Sequence, residues 1–223
     1  MLNKLRDDLS RKLGLRKSAS WSDVIKEKEP KLYAGNLSEA LPQYATHYGL
    51  ALYPSYAKDI QHDMRDALQV RDNSIAAFQS EDVFEHIEYE KIGRVFDEIH
   101  RALKPGGLFR LSVPDYRCPI LFDRSIKSDN GALLFDPGGG GRFENDRVVD
   151  GGHVWFPVYE TVKALFENSQ FKDVRYLHYT KQDGQSVLEN IDYGLGHIQR
   201  TPDHDERVAS PRIAMSIVVD ARK

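Results

Sequence analysis

YEKIGRVFDEIHRALKPGGLFRLSVPD, running from Tyr89 to Asp115, holds a helix, its stop and a strand in one stretch. Ile92, Val95, Phe96, Ile99 and Leu103 recur at intervals of three and four, which predicts a helix over Tyr89 to Leu103 with one apolar face. Lys104-Pro105-Gly106-Gly107 ends it, because proline cannot continue the hydrogen-bonded ladder and the glycines accept positive φ. The chain then reverses into Gly107 to Val113, a buried strand closed by Pro114. With another apolar run before the helix, at Ser74 to Gln79, the order is strand, crossover and parallel strand.

Further upstream, Leu32 to Ala34 and Gly49 to Tyr53 give two more short strands. Downstream, Pro157 suits the first turn of a helix within Phe156 to Ser169, whose Val158, Val162, Leu165 and Phe166 share a face. Phe171 to Tyr179 and Arg212 to Asp220 complete the strands. Between the strand closed by Pro114 and the helix within Phe156 to Ser169, Cys118 to Gly152 holds Gly131, Pro137 and the run Gly138 to Gly141 and shows little periodicity. An excursion of that length in a compact domain reads as a lid, here carrying Arg124, Arg142 and Arg147 toward a substrate.

Before Pro30 the pattern differs. Leu2, Leu5, Leu9 and Leu13 make one face of a basic amphipathic helix over Leu2 to Arg16, and Ser20 caps a second short helix. Residues 1–29 are therefore a helical extension, and residues 30–223 the domain proper, with residues 118–152 as its insertion. The extension offers a face to its own domain, to a second copy of the chain in a homodimer, or weakly to a membrane surface.

The 223 residues carry 31 Lys+Arg against 34 Asp+Glu, a net charge of -3, which argues against a protein that coats nucleic acid. The lone Cys118 rules out a disulfide framework and fits a reducing cytoplasm. No apolar run approaches the roughly 20 residues of a membrane span. Gly138 to Gly141 lacks the following Lys-Ser or Lys-Thr of a phosphate loop.

The string Ala102-Leu103-Lys104-Pro105-Gly106-Gly107 with Leu108 to Asp115 resembles the distal half of class I S-adenosylmethionine-dependent methyltransferases, above all a small group met among surface-polysaccharide genes. His62-Asp63-Met64, Asp72-Asn73-Ser74, Ser80 to Ile87 and the terminal Ser216 to Lys223 are similar to further segments of that group. The resemblance implies a doubly wound α/β three-layer sandwich with a seven-stranded, mostly parallel sheet, and S-adenosylmethionine as cofactor across the strand ends. Carried over residue by residue, it implies cofactor contacts at Ala34, Gly35, Asn36, Leu52, Asp63, Met64, Ser80 and Glu81. Two positions depart from the pattern: Leu37 stands where a second glycine lets backbone approach the cofactor, and Ala51 where an acid accepts the ribose hydroxyls.

Methyl transfer from a sulfonium requires the nucleophile to be held in line and, for a hydroxyl, relieved of its proton. Asp115, at the end of its strand, is a base or substrate ligand, or a cap for the following turn. His86, with Glu81 or Glu85, and His153, after the Gly151-Gly152 hinge, are the other proton acceptors, each with a packing role as its alternative. Pro202 to Glu206 with His197 offers ligands for a metal but reads as a solvated loop, so no metal is expected. The expected activity is methylation of a small molecule or glycan, on oxygen. The rival reading is a fold whose altered Leu37 and Ala51 have ended its chemistry, leaving a binding or scaffold role.

Overall fold

The computed structural model describes residues 18–38 and 40–223. The helix expected over Leu2 to Arg16 lies outside them. Helix α1 (Trp21–Lys26) begins where Ser20 was expected to cap it: the Asp23 carboxylate takes the Ser20 backbone N–H at 3.0 Å and its hydroxyl at 2.7 Å.

The strands that follow are β1 (Lys31–Ala34), β2 (His47–Ala51), β3 (Asp59–Gln61) and β4 (Ile75–Glu81). Helix α2 (Tyr89–Ala102) leads directly into β5 (Leu103–Pro114): the strand takes in Leu103 and the Lys104-Pro105-Gly106-Gly107 stretch expected to separate the two, with Gly106 at φ +76°. After the insertion come α4 (Tyr159–Glu167), β10 (Asp173–Thr180), β11 (Ser186–Leu188) and β12 (Ser216–Arg222). The main sheet has the order β11-β10-β12-β5-β4-β1-β2-β3. Strands β1 to β5 are parallel, β12 is antiparallel to both β5 and β10, and β11 folds back on β10. This is the mostly parallel, doubly wound sheet expected, with eight strands rather than seven. The extra strand exists because Lys181 N–H closes on the Gln185 carbonyl at 2.9 Å and turns β10 into a hairpin.

One face of the sheet is apolar. In-register partners Leu32, Phe78, Phe109 and Ala221 pack with Val24 of α1, Phe96 of α2 and Phe166 of α4 in a single cluster. Phe96 lies 5.2 Å from Phe109 and 4.7 Å from Phe166, centroid to centroid. The opposite face is polar where Gln79, Arg110 and Ser112 point, and the chain over it, residues 190–204, carries no helix. Arg110, 1 % exposed, forks onto Asp220 with two 2.7 Å bonds and donates to the Asp192 and Gly196 carbonyls at 2.9 and 2.5 Å. An arginine thus does what a covering helix would do through apolar contact.

The β1–β2 crossover is likewise reduced to a single 3-10 turn, Pro42–Tyr44. Tyr33, Tyr44 and Leu37 pack into a small cluster there. Leu37 is therefore a core residue of its own loop, which explains why glycine does not stand at that position.

Several boundaries move. Leu52 and Tyr53 fall outside β2 as an exposed bend, Pro157 lies two residues ahead of α4, and the last strand begins at Ser216 rather than Arg212. The insertion is more regular than its composition indicated: α3 (Pro119–Arg124) is followed by the hairpins β6 (Ile126–Lys127) with β7 (Leu133–Phe135) and β8 (Arg142–Glu144) with β9 (Arg147–Val149).

Candidate active site

The carboxyl ends of β1 to β4 lie side by side. After the buried Ala34, Gly35 takes φ +115° and donates to the Leu50 carbonyl at 2.7 Å. Asn36 is exposed and accepts the Ser55 N–H, and Leu37 N–H is held by the buried Asp59 carboxylate at 2.9 Å. The other oxygen of Asp59 takes the N–H groups of Ser55 and Tyr56, so one acid ties the first two loops together. At the end of β2, Ala51 is buried and Leu52 is 52 % exposed. Beyond β3, Asp63 keeps a partly exposed carboxylate gripped by Arg65, while Met64 joins the core.

At the end of β4, Ser80 is fully buried with no partner for its hydroxyl. Glu81 accepts the backbone N–H groups of Gln199 and Arg200 at 3.2 and 2.9 Å, and Arg200 pairs with Asp82 at 2.6 Å. Burial, with the Asp82 charge beside it, pushes the Glu81 carboxyl up to about 7. An unpartnered hydroxyl at Ser80, a left-handed glycine with no atom closer than 3.5 Å to its missing Cβ, an exposed Leu52 and an accessible carboxylate at Asp63 suit a ligand with an adenosine end and an amino-acid end. The donor set fits S-adenosylmethionine at three strand ends; at the fourth, Ala51 offers the ribose no acceptor.

Beside β4, the turn Phe84–His86 presents two of the expected residues to a third that comes from the insertion. The His86 and His153 rings meet edge to face with centroids 4.7 Å apart. His86 is exposed and its Nδ1 lies 2.7 Å from the Gly151 carbonyl, which can only accept, so the ring carries its proton there. His153 is buried, and its Nδ1 contacts the Tyr116 hydroxyl. Tyr116 donates to Asp136 at 2.6 Å, and Arg124 grips Asp136 with bonds of 2.8 and 2.6 Å. Burial opposes the Asp136 charge, but Arg124 outweighs it and keeps the carboxyl below its usual range. With Asp136 ionised, the Tyr116 oxygen receives the His153 Nδ1–H, and the Nε2 lone pair faces Glu85. Burial, aided by His86, holds His153 neutral by lowering its pKa to about 4.

The glycines of the insertion serve this packing. A Cβ on Gly139 would lie 2.7 Å from the His153 ring, and one on Gly152 would lie 2.5 Å from the Gly140 carbonyl. Within the stretch read as a lid, Gly139 packs directly on the His153 ring.

Asp115 stands apart from this cluster. It is fully buried, and its two oxygens take the N–H groups of Arg117 at 3.0 Å and Thr180 at 2.6 Å, the capping role named as its alternative. In the acidic stretch near the end, Asp203 pairs with Arg212, Asp205 with Arg207, and His204 faces the Ile198 carbonyl, so these groups are taken up by neighbours. Cys118 is buried, and burial pushes its thiol up. Tyr116, Asp136 and Arg200 are the site residues that sequence reasoning did not assign, and Arg124, expected to face a substrate, is turned onto Asp136. Nothing in their spacing marks them, since they meet only through the fold of the insertion.

A family model described as "Methyltransferase domain" matches residues 24–111, from α1 to the middle of β5. Comparison with curated protein sequences gives no significant match. Among solved structures, a SAM-dependent methyltransferase from Archaeoglobus fulgidus superposes with a TM-score of 0.54 at 14% identity, covering 99% of this chain and 94% of its own. A possible histamine N-methyltransferase from Thermotoga maritima gives 0.53 at 11% identity, over 90% and 86% of the two chains. A SAM-dependent methyltransferase from Methanosarcina mazei gives 0.50 at 11% identity, over 93% and 99%. The fold is that of the class I S-adenosylmethionine-dependent methyltransferases, and residues 24–111 carry the sequence pattern of their domain.

Proposed function

We propose that the protein is an S-adenosylmethionine-dependent methyltransferase that methylates a hydroxyl of a small molecule or glycan, in the cytoplasm, in the making of a surface polysaccharide. The observation that carries the reading is the placement of Gly35, Asp63 and Ser80 at the carboxyl ends of β1, β3 and β4 in one sheet, next to two histidines packed edge to face. Gly35 and Ser80 would hold the amino-acid end of the cofactor, Asp63 with Leu52 its adenosine end, and Ala34, Asn36, Met64 and Glu81 would shape the walls. When bound, the cofactor supplies an electrophilic methyl carbon. The chain's own part is to position the acceptor oxygen and take its proton, and His86 is the group for that: exposed, with Nδ1–H fixed on Gly151 and Nε2 left as the base. His153 packs against it and holds the ring, and Asp115 anchors the Thr180 end of β10 rather than meeting the acceptor.

Calorimetric titration with S-adenosylmethionine and S-adenosylhomocysteine tests the reading. Micromolar binding is expected, and Asp63→Ala should weaken it about tenfold or more, the loss of one hydrogen-bonded charge. Ala51 and the engagement of Glu81 by the 199–200 backbone favour a second reading, in which the fold serves as a scaffold and residues 1–29 hold a partner or a second copy of the chain. Absence of binding at millimolar ligand would make that the better one.

A further inference from the structure

We propose that Glu85, His86 and His153 form a binding site for one divalent transition-metal ion, with zinc the ion that a donor set of two imidazoles and one carboxylate suits. One donor atom from each of the three lies within 4.8 Å of the other two. Glu85 is fully buried, and neither of its oxygens has a hydrogen-bond partner, a rare condition for a buried acid. His153 Nε2 lies 3.5 Å from its Oε1. That separation is long for a hydrogen bond, yet two ligands about 2.1 Å from a tetrahedral ion stand about 3.4 Å apart.

The surroundings are those of a metal site. Each imidazole is fixed through its other nitrogen, His86 by the Gly151 carbonyl and His153 by the chain Tyr116, Asp136, Arg124. Partners of this kind set the tautomer that leaves Nε2 free to coordinate. Arg124 pairs with Asp136 and Arg200 with Asp82, so both guanidiniums are engaged elsewhere and the Glu85 carboxyl is left to an ion. His86 is exposed, so the ion has a way in. Three protein ligands leave a fourth position for water or another oxygen ligand.

The site does not depend on the methyltransferase reading. An ion there takes the lone pair that His86 otherwise offers to a proton, so the two occupancies exclude each other. In the loaded protein an acceptor hydroxyl would sit in the open position instead.

The full chain, stripped by chelator and dialysed, is titrated with zinc chloride by calorimetry and with cobalt(II) by visible absorption. One zinc per chain is expected, with a dissociation constant of about 1 μM or tighter, and cobalt bands of tetrahedral type. His86→Ala, at an exposed position that keeps the fold, and Glu85→Gln should each weaken binding by about a hundredfold, while His204→Ala leaves it unchanged. Failure of the wild-type chain to bind zinc, or undiminished binding by His86→Ala, would overturn the proposal. So would loss of binding in His204→Ala. Zinc binding with no response to S-adenosylmethionine would keep the metal site and sink the methyltransferase reading.

Discussion

Glu81 carries a conflict that pH can expose. Its ordinary value is 4.5, but burial favours the neutral acid and raises the folded value to about 7. The folded chain therefore keeps a proton that the unfolded chain releases, and the stability this confers is present below pH 4.5 and lost as pH climbs through 7. In Glu81→Gln there is no proton to lose, but the two N–H groups bind different carboxylate oxygens, so the single amide oxygen keeps one of them and the other loses its acceptor. The variant should start below the parent in thermal unfolding near pH 5 by about the 1 kcal/mol of one hydrogen bond, and between pH 5 and pH 8 it should lose less stability than the parent by on the order of 2 kcal/mol. Equal pH dependence in the two proteins would show that Glu81 is ionised throughout. At this same scale the sequence was only partly readable. His86 and His153 stood out because each is an imidazole beside a turn or a hinge, whereas Glu85 entered only as a neighbour of His86. Its meaning depends on being sealed from water without a partner, and burial of one acid among many is a property of the packed chain.

The elements show where local pattern suffices and where it does not. Helix α2 and strand β5 follow from an apolar stripe, a proline and two glycines, all within one stretch of chain. Hairpin β10–β11 and the strap over the polar face do not, because Asp192, Gly196 and His197 find their partners on strands far away in sequence. A run without periodicity such as 190–204 reads as loop, and loop it is, but it acts as the second layer of the sandwich. Arg110 holds that layer. In Arg110→Leu the Asp220 carboxylate and two carbonyls lose their donor, and removing one partner of a buried ion pair costs about 3–5 kcal/mol. Urea unfolding should show a lower midpoint, and amide exchange should rise first in residues 190–204, ahead of α2 and β5. Uniform loss of protection across the sheet would mean that the strap is not a separate unit of stability.

At the scale of the whole molecule, the proposed cofactor site rests on the front half of the sheet. Strands β1 to β3 are short, their crossovers carry no α-helix among the described residues, and one buried acid, Asp59, organises the loops between them. That economy explains Leu37, which has a packing duty, but it gives no comparable duty to Ala51, whose methyl group ends β2 beside the Asp63 loop. A carboxylate there would accept the two ribose hydroxyls, each such hydrogen bond being worth about 1.5–3 kcal/mol before the desolvation of the acid is subtracted. Ala51→Asp should therefore tighten S-adenosylmethionine binding by about tenfold and lower the melting temperature of the ligand-free protein, since the position is buried and the new carboxylate has no partner until the ribose arrives. Titration of parent and variant side by side reads this directly. A tighter variant places the ribose over β2 and makes the native chain a methyltransferase that works with a weak grip on its cofactor. Equal affinity would move the ribose elsewhere, toward Asn36 and Ser55, and absence of binding in both would leave the fold as a scaffold whose histidine cluster has another purpose.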